Sequence, residues 1–227
     1  TTPTGLCVGN REQVIRNGQG ALLRVLPDFV NAGGADIAGL DITSSYTFDT
    51  GIGMWRLGVQ AAWASKYDTE TPGAAEGTTV ELDAVGQYNL RNPIARPLPE
   101  WKANFTVNWN LGNHSVFGLI RYIDSYDFPQ EQWNSAQGFW GATVGIANGA
   151  DAREKFLTEK IKSWTTVDLQ YSYTFPEVGF LSTSRLTFGV KNLTDEKPPW
   201  VPDNTGWDTV THDFRGRQYF VRIYAGM

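Results

Sequence analysis

The sequence has 227 residues and a net charge of −5 at pH 7, with 19 Lys and Arg against 24 Asp and Glu. This length suits one large all-β domain or two small ones, and the acidic balance argues against nucleic acid as a partner. No stretch approaches the roughly 18 apolar residues of a membrane helix. A transmembrane β-strand needs only about 9–11 residues, half of them polar, so a membrane protein built of strands remains possible.

The N-terminal stretch lacks the marks of a secretion signal. The opening segment, TTPTGLCVGN, contains neither a basic region nor an apolar core. Either a signal has been removed, or the chain begins in the middle of something larger. Cys7 is the only cysteine, so it is a free thiol or half of a disulfide whose partner lies upstream of this chain.

Alternation of apolar and polar residues with period 2 predicts about eight strands. The pattern is weakest at residues 22–31. It is cleanest at residues 101–111, WKANFTVNWNL, where it runs without a fault. In chain order, the predicted strands cover about residues 22–31, 39–48, 54–63, 101–111, 115–126, 165–175, 184–193 and 216–227.

The predicted connections alternate between short and long. The short turns cover residues 49–53, 112–114 and 176–179, and the long loops cover about residues 66–100, 128–161 and 193–215. One loop contains DAREKFLTEK, residues 151–160, which predicts a short surface helix. Loops longer than about 12–15 residues are uncommon in compact soluble domains. Short turns on one rim and long loops on the other are typical of outer-membrane barrels.

The two faces of the predicted strands differ in a way that favours lipid on one side. The polar rows hold mostly Asn, Thr, Ser and Gln rather than Lys and Glu, which suits a hydrated lumen. Trp and Tyr lie at the ends of the apolar rows, as at membrane interfaces. We expect lipid contact for Phe105, Val107, Trp109, Val167, Leu169, Tyr171, Leu186 and Phe188. We expect a lumenal position for Asn104, Thr106, Asn108, Asp168, Gln170 and Lys191.

Two C-terminal segments carry a family resemblance. LTFGVKNLTDEKPP, residues 186–199, and GRQYFVRIYAGM, residues 216–227, resemble the end of TonB-dependent outer-membrane receptors. In that family the next-to-last strand leads into G-x-x-N-L-x-D-x-x-P-P, and the last strand opens with G-R-x-Y. The matching residues are Gly189, Asn192, Leu193, Asp195, Pro198, Pro199, Gly216, Arg217 and Tyr219. Segments at residues 31–42, 96–109 and 120–126 are similar to other barrel strands of the family.

The resemblance implies an all-β fold, an antiparallel transmembrane β-barrel with long external loops. Barrels of this family have 22 strands around a plug. Residues 1–227 are therefore expected to be the C-terminal portion, about eight strands, with the plug domain and the N-terminal strands outside this chain. The implied function is active uptake of a scarce external ligand (iron chelate, cobalamin, oligosaccharide or peptide), energised through TonB. The implied location is the bacterial outer membrane.

The resemblance also implies partners and an assembly signal. The partners are the lipid bilayer with its lipopolysaccharide, the remaining N-terminal part of the receptor, and the TonB complex through the plug. The signal read by the outer-membrane assembly machinery would lie on the final strand, where the family usually ends in Phe and this chain ends in Met. Its residues here are Tyr219, Val221, Ile223, Ala225 and Met227.

The sequence offers no candidate for catalysis, and we expect no enzyme activity, metal site or cofactor. His114 and His212 lie far apart, without metal-binding or triad spacing. Aromatic residues in the predicted external loops could stack on a ligand, and nearby acidic and imidazole groups could meet a cationic or metal-bearing one. The alternative is that the aromatic residues pack the loops against one another. The candidate ligand-binding residues are Trp133, Phe139, Trp140, Trp200, Trp207, Asp208 and His212.

Two other architectures remain open. One is a secreted β-sandwich that binds carbohydrate through its loop tryptophans, and the other is a complete eight-stranded outer-membrane barrel. The pairing of the final strand distinguishes the small complete barrel from part of a larger barrel. In part of a larger barrel it pairs with residues 184–193 on one side and with a strand outside this chain on the other. In a small complete barrel its second partner is the strand near residues 22–31.

Overall fold

The computed structural model describes residues 14–25, 34–72, 79–89, 95–128, 160–176, 183–201 and 205–226. All the regular secondary structure described is β, and every strand pair is antiparallel. No helix in this part of the chain is long and apolar enough to cross a membrane. The predictions for Cys7, Trp133, Phe139, Trp140 and Met227 lie outside the described residues, as do residues 151–159 of the helix predicted at residues 151–160.

A single large sheet contains eight of the twelve described strands. Its order is β12-β11-β10-β7-β6-β4-β3, and β5 pairs with the far part of β4. The strands of this sheet are β3 (Ala35–Thr50), β4 (Gly53–Pro72), β5 (Thr79–Asp83), β6 (Trp101–Leu111), β7 (His114–Ile123), β10 (Trp164–Phe175), β11 (Thr183–Lys191) and β12 (Gln218–Gly226).

Tight turns join strands at one edge of this sheet, which we call the turn edge. At the β3–β4 turn, Thr50 Oγ1 donates to the carbonyl of Gly53 at 2.8 Å. Gly53 has φ 119°, and a Cβ there would lie 2.5 Å from the carbonyl oxygen of Asn110. Only glycine meets both demands, so this turn fixes how β4 enters the sheet beside β6. The long connections leave from the opposite edge, which we call the loop edge.

The predicted loop at residues 66–100 is partly wrong. β4 continues to Pro72 and β5 returns along it, so a hairpin extends the sheet beyond the loop edge. A bulge accompanies the change, because Ala38 pairs with Lys66 whereas Gly39 pairs with Ala64. Beyond the bulge, charged residues at positions 66, 68 and 70 alternate with Tyr and Thr, so β4 keeps a strand pattern without an apolar row. The prediction failed because the apolar row, which marked the strand, ends at Trp63.

Two short strand pairs accompany the large sheet. β1 (Val14–Arg16) pairs with β2 (Leu22–Val25), so only the first part of the strand predicted at residues 22–31 is described. β8 (Tyr126–Asp127) pairs with β9 (Lys160–Ile161). The strand predicted at residues 115–126 therefore divides, since β7 ends at Ile123 and Tyr126 belongs to the separate pair. Lys160, predicted to end a helix, begins β9.

The cross-strand register places the two predicted rows on opposite faces of the sheet. Phe105, Ile120 and Val167 stand side by side on one face, the apolar face, across β6, β7 and β10. Thr106, Leu119 and Asp168 stand side by side on the other, the polar face. Both predicted sets keep to their faces without exception, and Tyr219, Val221, Ile223 and Ala225 of β12 join the apolar face.

Burial on the two faces is the reverse of that in a soluble protein. On the apolar face, Val221 is 60% exposed and Ile223 is 77% exposed. On the polar face, Thr166, Asp168, Ser172 and Thr187 are buried. A water-soluble sheet hides its apolar side in a core. Nothing among the described residues covers the apolar face of this sheet.

The large sheet has an open end at each side within the described residues. β12 pairs only with β11, and β3 pairs only with β4. Leu22–Val25 pairs with β1 and not with β12, so the closure expected of a small complete barrel is absent from this part of the chain. The sandwich is not observed either, since no second large sheet packs on the first among the residues that the structure describes. The architecture is an unclosed antiparallel barrel wall.

Candidate functional site

A small packed cluster covers the loop edge of the sheet. Its apolar residues come from four separate stretches of the chain and are almost fully buried. Tyr88 stacks on Phe128 with ring centroids 5.2 Å apart, and on Tyr126 at 6.5 Å. We call the group the rim cluster; its members are Tyr88, Tyr126, Phe128, Ile161, Trp164, Val201, Asp208 and His212.

Asp208 organises the polar part of the rim cluster. Its carboxylate, in a residue only 1% exposed, accepts a 2.5 Å hydrogen bond from the Tyr126 hydroxyl through Oδ2. The other oxygen, Oδ1, accepts the backbone N–H groups of Val210 at 2.8 Å and Thr211 at 3.1 Å. Burial, and then the hydrogen bond to Asp208, raise the pKa of Tyr126 far above its ordinary value. The carboxylate thereby ties residues 208–212 to β8.

His212 lies inside the rim cluster and is only 6% exposed. Its ring stacks on Tyr126 at 6.1 Å and meets Trp164 edge-on at 5.3 Å between centroids. Burial lowers the pKa of His212, Asp208 acts in the opposite direction, and Lys102 lowers it further. Neither ring nitrogen has a hydrogen-bond partner among the described residues. These surroundings favour the neutral imidazole.

The other described candidates for ligand contact, Trp200 and Trp207, lie in the same loop but differ in exposure. Trp200 is 40% exposed, beside Gly206. Trp207 is half-buried and packs on Phe214 at 5.3 Å between ring centroids. The structure thus brings Asp208 and His212 together inside the rim cluster and leaves Trp200 on the surface. Ligand contact by any of these residues stays a prediction.

The two segments that carry the family resemblance meet in the structure. Asn192 has φ 51° and closes a turn, because its side chain bonds the backbone N–H of Glu196 at 2.9 Å and the carbonyl of Glu196 at 2.8 Å. Asp195 Oδ1 accepts the backbone N–H of Arg217 at 2.8 Å. The first motif therefore holds the residue that leads into β12.

Asp168 connects this turn to the neighbouring strands. Its Oδ1 accepts the backbone N–H of Asn192 at 2.9 Å, and its Oδ2 accepts a 2.7 Å hydrogen bond from Arg121 Nη2. Gly189, another motif residue, lies under the Phe220 ring, so any side chain there would collide with it. The contacts of these motif residues explain why each residue type is needed at its position, and they form only when the strands are in register.

The polar face carries polar and charged residues that the sequence analysis did not include among the candidate ligand-binding residues. A depression of about 450 Å³ lies near the loop edge, between β3 and β7. Lys102, Asn104 and Arg121 form one side of it. Alternation places each residue on the polar face, but only the register brings them together. Among the described residues, no group of three or more His, Cys, Asp and Glu is arranged to hold a metal ion.

The sequence matches a known protein family. The family model described as TonB dependent receptor-like, beta-barrel, matches residues 3–193. The match covers most of the chain and includes every described strand from β1 to β11. No curated protein matches the sequence.

Proposed function

The chain belongs to the TonB-dependent receptor-like β-barrel family, and we propose that it forms part of the wall of an outer-membrane uptake receptor. The family is one of bacterial outer-membrane receptors and transporters. In this role the apolar face meets lipid and the polar face lines the lumen. The inverted burial of the two faces is the observation that carries the proposal.

Tryptophans on the apolar face support a bilayer position. Trp63 stacks on Trp101 near the loop edge with ring centroids 5.8 Å apart, and Trp55 lies 6.3 Å from Trp109 near the turn edge. Trp101 and Trp109 are about 27 Å apart along β6 at the usual strand rise. A strand tilt of about 35–45° reduces this to about 19–22 Å along the membrane normal, slightly less than the apolar band of about 25 Å in such barrels. Their separation suits two membrane interfaces.

The indole N–H groups support the same placement. Trp63 Nε1 donates to Glu100 at 3.0 Å, on the loop side, and Trp109 Nε1 donates to the carbonyl of Ile52 at 2.7 Å, on the turn side. A tryptophan at an interface keeps its ring in lipid and its N–H in a polar layer. Both edges of the apolar band therefore end in polar contacts.

Beyond the loop edge, the outward side of the sheet becomes charged. Lys66 lies 2.9 Å from Asp36 and 3.4 Å from Asp68, and the same side of the β4–β5 hairpin continues with Glu70 and Glu81. Such residues belong in water or among lipid headgroups and not in hydrocarbon. We assign this side to the exterior, where lipopolysaccharide surrounds the protein.

The open ends of the sheet support membership in a larger barrel. An edge exposed in lipid leaves backbone groups unsatisfied at several kcal/mol each, so β12 and β3 each require another strand. We propose that N-terminal strands of the same receptor supply them and that a plug couples the barrel to the TonB complex. The cargo would be a scarce external ligand: an iron chelate, cobalamin, an oligosaccharide or a peptide. No catalytic step is proposed.

Site-directed labelling tests the membrane position. In a Cys7→Ser background, single cysteines replace Val107, Leu169 or Val221 on the apolar face and Thr106 or Gln170 on the polar face. In outer-membrane fractions, a maleimide that partitions into lipid should label only the first group, and a charged maleimide only the second. Equal labelling of the two groups by both reagents would refute a lipid-facing wall.

Uptake tests the transport role separately. Cells producing the receptor that contains this chain should accumulate a radiolabelled candidate cargo, and loss of TonB should abolish accumulation. Accumulation that continues unchanged without TonB would contradict energised uptake while leaving the membrane position intact.

A further inference from the structure

The depression on the polar face is shaped by small residues among long polar ones. It spans β3, β4, β6 and β7 near the loop edge. Ala62 stands between Asp41 on one side and Lys102 on the other, so no long side chain fills the middle of that row. Space for a small molecule therefore exists on the wall itself, below the loops.

Two adjacent cross-strand rows supply its polar groups. Thr43, Gln60, Asn104 and Arg121 stand directly opposite one another across four strands. The neighbouring row contains Asp41, Ala62, Lys102 and Ile123. Directly opposed side chains have Cβ atoms about 4.5–5.5 Å apart, so the amides of Gln60 and Asn104 lie within reach of one ligand.

The charges are segregated within the depression. Arg121 and Lys102 lie on the β6–β7 side and flank Asn104, whereas Asp41 lies two strands from Lys102, about 10 Å away at the usual strand spacing. Arg121 donates a hydrogen bond to Asp168 through Nη2, and its other N–H groups remain available to a ligand. Lys102 has no carboxylate within ion-pair distance among the described residues, and Asp208 acts on it only through space.

We propose that this depression is a binding site for a polar small molecule that carries a carboxylate or phosphate at one end and hydroxyl groups at the other. The anionic group meets Lys102 and Arg121, which donate charge-assisted hydrogen bonds. Asn104 and Gln60 bond the middle of the ligand, and Asp41 accepts from its hydroxyl groups. The inference rests on the proposed function, since it assigns the chemical class of the cargo and a binding site for it on the lumenal wall.

Equilibrium dialysis of the detergent-solubilised receptor that contains this chain, with radiolabelled probes, tests the site. Gluconate represents the carboxylate class, glycerol phosphate the phosphate class, and sorbitol is the neutral control, all at constant ionic strength. At least one anionic probe should bind at one equivalent, and sorbitol should not. Which of the two binds distinguishes the classes. Binding of neither anion above the sorbitol level would overturn the proposal.

Matched variants locate the binding. Lys102→Gln removes the unpaired cation, and Asn104→Asp places a repelling carboxylate between the two cations. Each should raise the Kd by about tenfold or more, the cost of one charge-assisted contact. Arg222→Gln is the control, because Arg222 lies on the same face on β12, outside the depression, and its Kd should change by less than about twofold.

Equal weakening by Arg222→Gln would show general attraction to the wall and overturn the site, as would an unchanged Kd in both depression variants. Folding of each variant is checked by circular dichroism, and if Lys102→Gln does not fold, Asn104→Asp decides. Failure here leaves the maleimide labelling pattern untouched. A wrong membrane position would change that pattern, so the two failures are distinguishable.

Discussion

Neighbouring residues of β6 lie on opposite faces of the sheet, so a charged substitution should destabilise the protein to different extents at the two positions. Val107 lies on the apolar face between Trp101 and Trp109, two residues from Trp109, whereas Thr106 lies on the polar face. Val107→Arg should cost up to about 2–4 kcal/mol of folding free energy in a bilayer, which is the cost of a cation at a lipid-facing position near the midplane. Thr106→Arg should cost much less, because the lumen is hydrated.

Unfolding titrations in lipid vesicles, with each variant carried in the receptor that contains this chain, measure these costs. Equal destabilisation at the two positions would contradict the assignment of the faces. Alternation in the sequence was sufficient to predict this contrast, because a period of two places every second side chain on the same side whatever the tertiary structure.

The ionisation of His212 makes the rim cluster sensitive to pH. Burial lowers its folded-state pKa below the unfolded value of about 6.5. Between the two values the unfolded chain binds the proton and the folded rim does not. The rim should therefore be fully stable above about pH 6.5 and lose stability as the pH falls through the lowered pKa.

Hydrogen exchange at residues 208–212, followed between neutral and acidic pH, measures this effect. His212→Phe keeps the stacking on Tyr126 and Trp164 but does not titrate, so its rim should show a weaker pH dependence. The same pH dependence in the variant would assign the effect to other groups, of which Asp208 and Lys102 are the nearest charges.

At the scale of elements, the start of β12 is held by a side chain from the preceding turn. Asp195 has φ 57° and accepts the backbone N–H of Arg217. Asp195→Gly keeps this backbone conformation free of strain, so the loss isolates the carboxylate. We expect a cost of about 1 kcal/mol and faster amide exchange at Arg217 and Gln218.

Asp213→Ala is the matched control for this contact. The Asp213 carboxylate bonds Arg215, two residues along the same exposed loop, and touches no residue of β12 among the described hydrogen bonds. Its removal should leave exchange at Gln218 unchanged. Comparable fraying in both variants would mean that loop charge, not the Asp195 contact, orders the strand.

The elements also show where sequence reasoning stopped. The face of every residue in β6 and β10 follows from alternation, but the length of β4 does not, because its apolar row ends at Trp63. The alternation of apolar and polar residues does not predict the bulge at Gly39 either. The Tyr126–Asp208 bond joins residues 82 positions apart, and only the packed loops bring them together. The depression likewise depends on register, which no single strand encodes.

At the scale of the whole molecule, the open sheet predicts a requirement for partner strands. The outward N–H and C=O groups of β12 have no strand beside them among the described residues, and the same holds for the free side of β3. Water satisfies such groups in solution, but hydrocarbon does not. The chain should therefore insert as a stable barrel wall only when further strands pair with the free sides of β3 and β12.

Folding into lipid vesicles, with and without the N-terminal part of the receptor supplied as a second polypeptide, tests this requirement. Alone, the chain should yield no heat-modifiable species on electrophoresis, and the amides of β12 that point away from β11 should exchange within the dead time. With the complement, a folded band should appear and those amides should become protected, while amides bonded to β11 change little. A folded, protected β12 in the isolated chain would mean that the chain closes its own barrel, and the larger assembly would then be unnecessary.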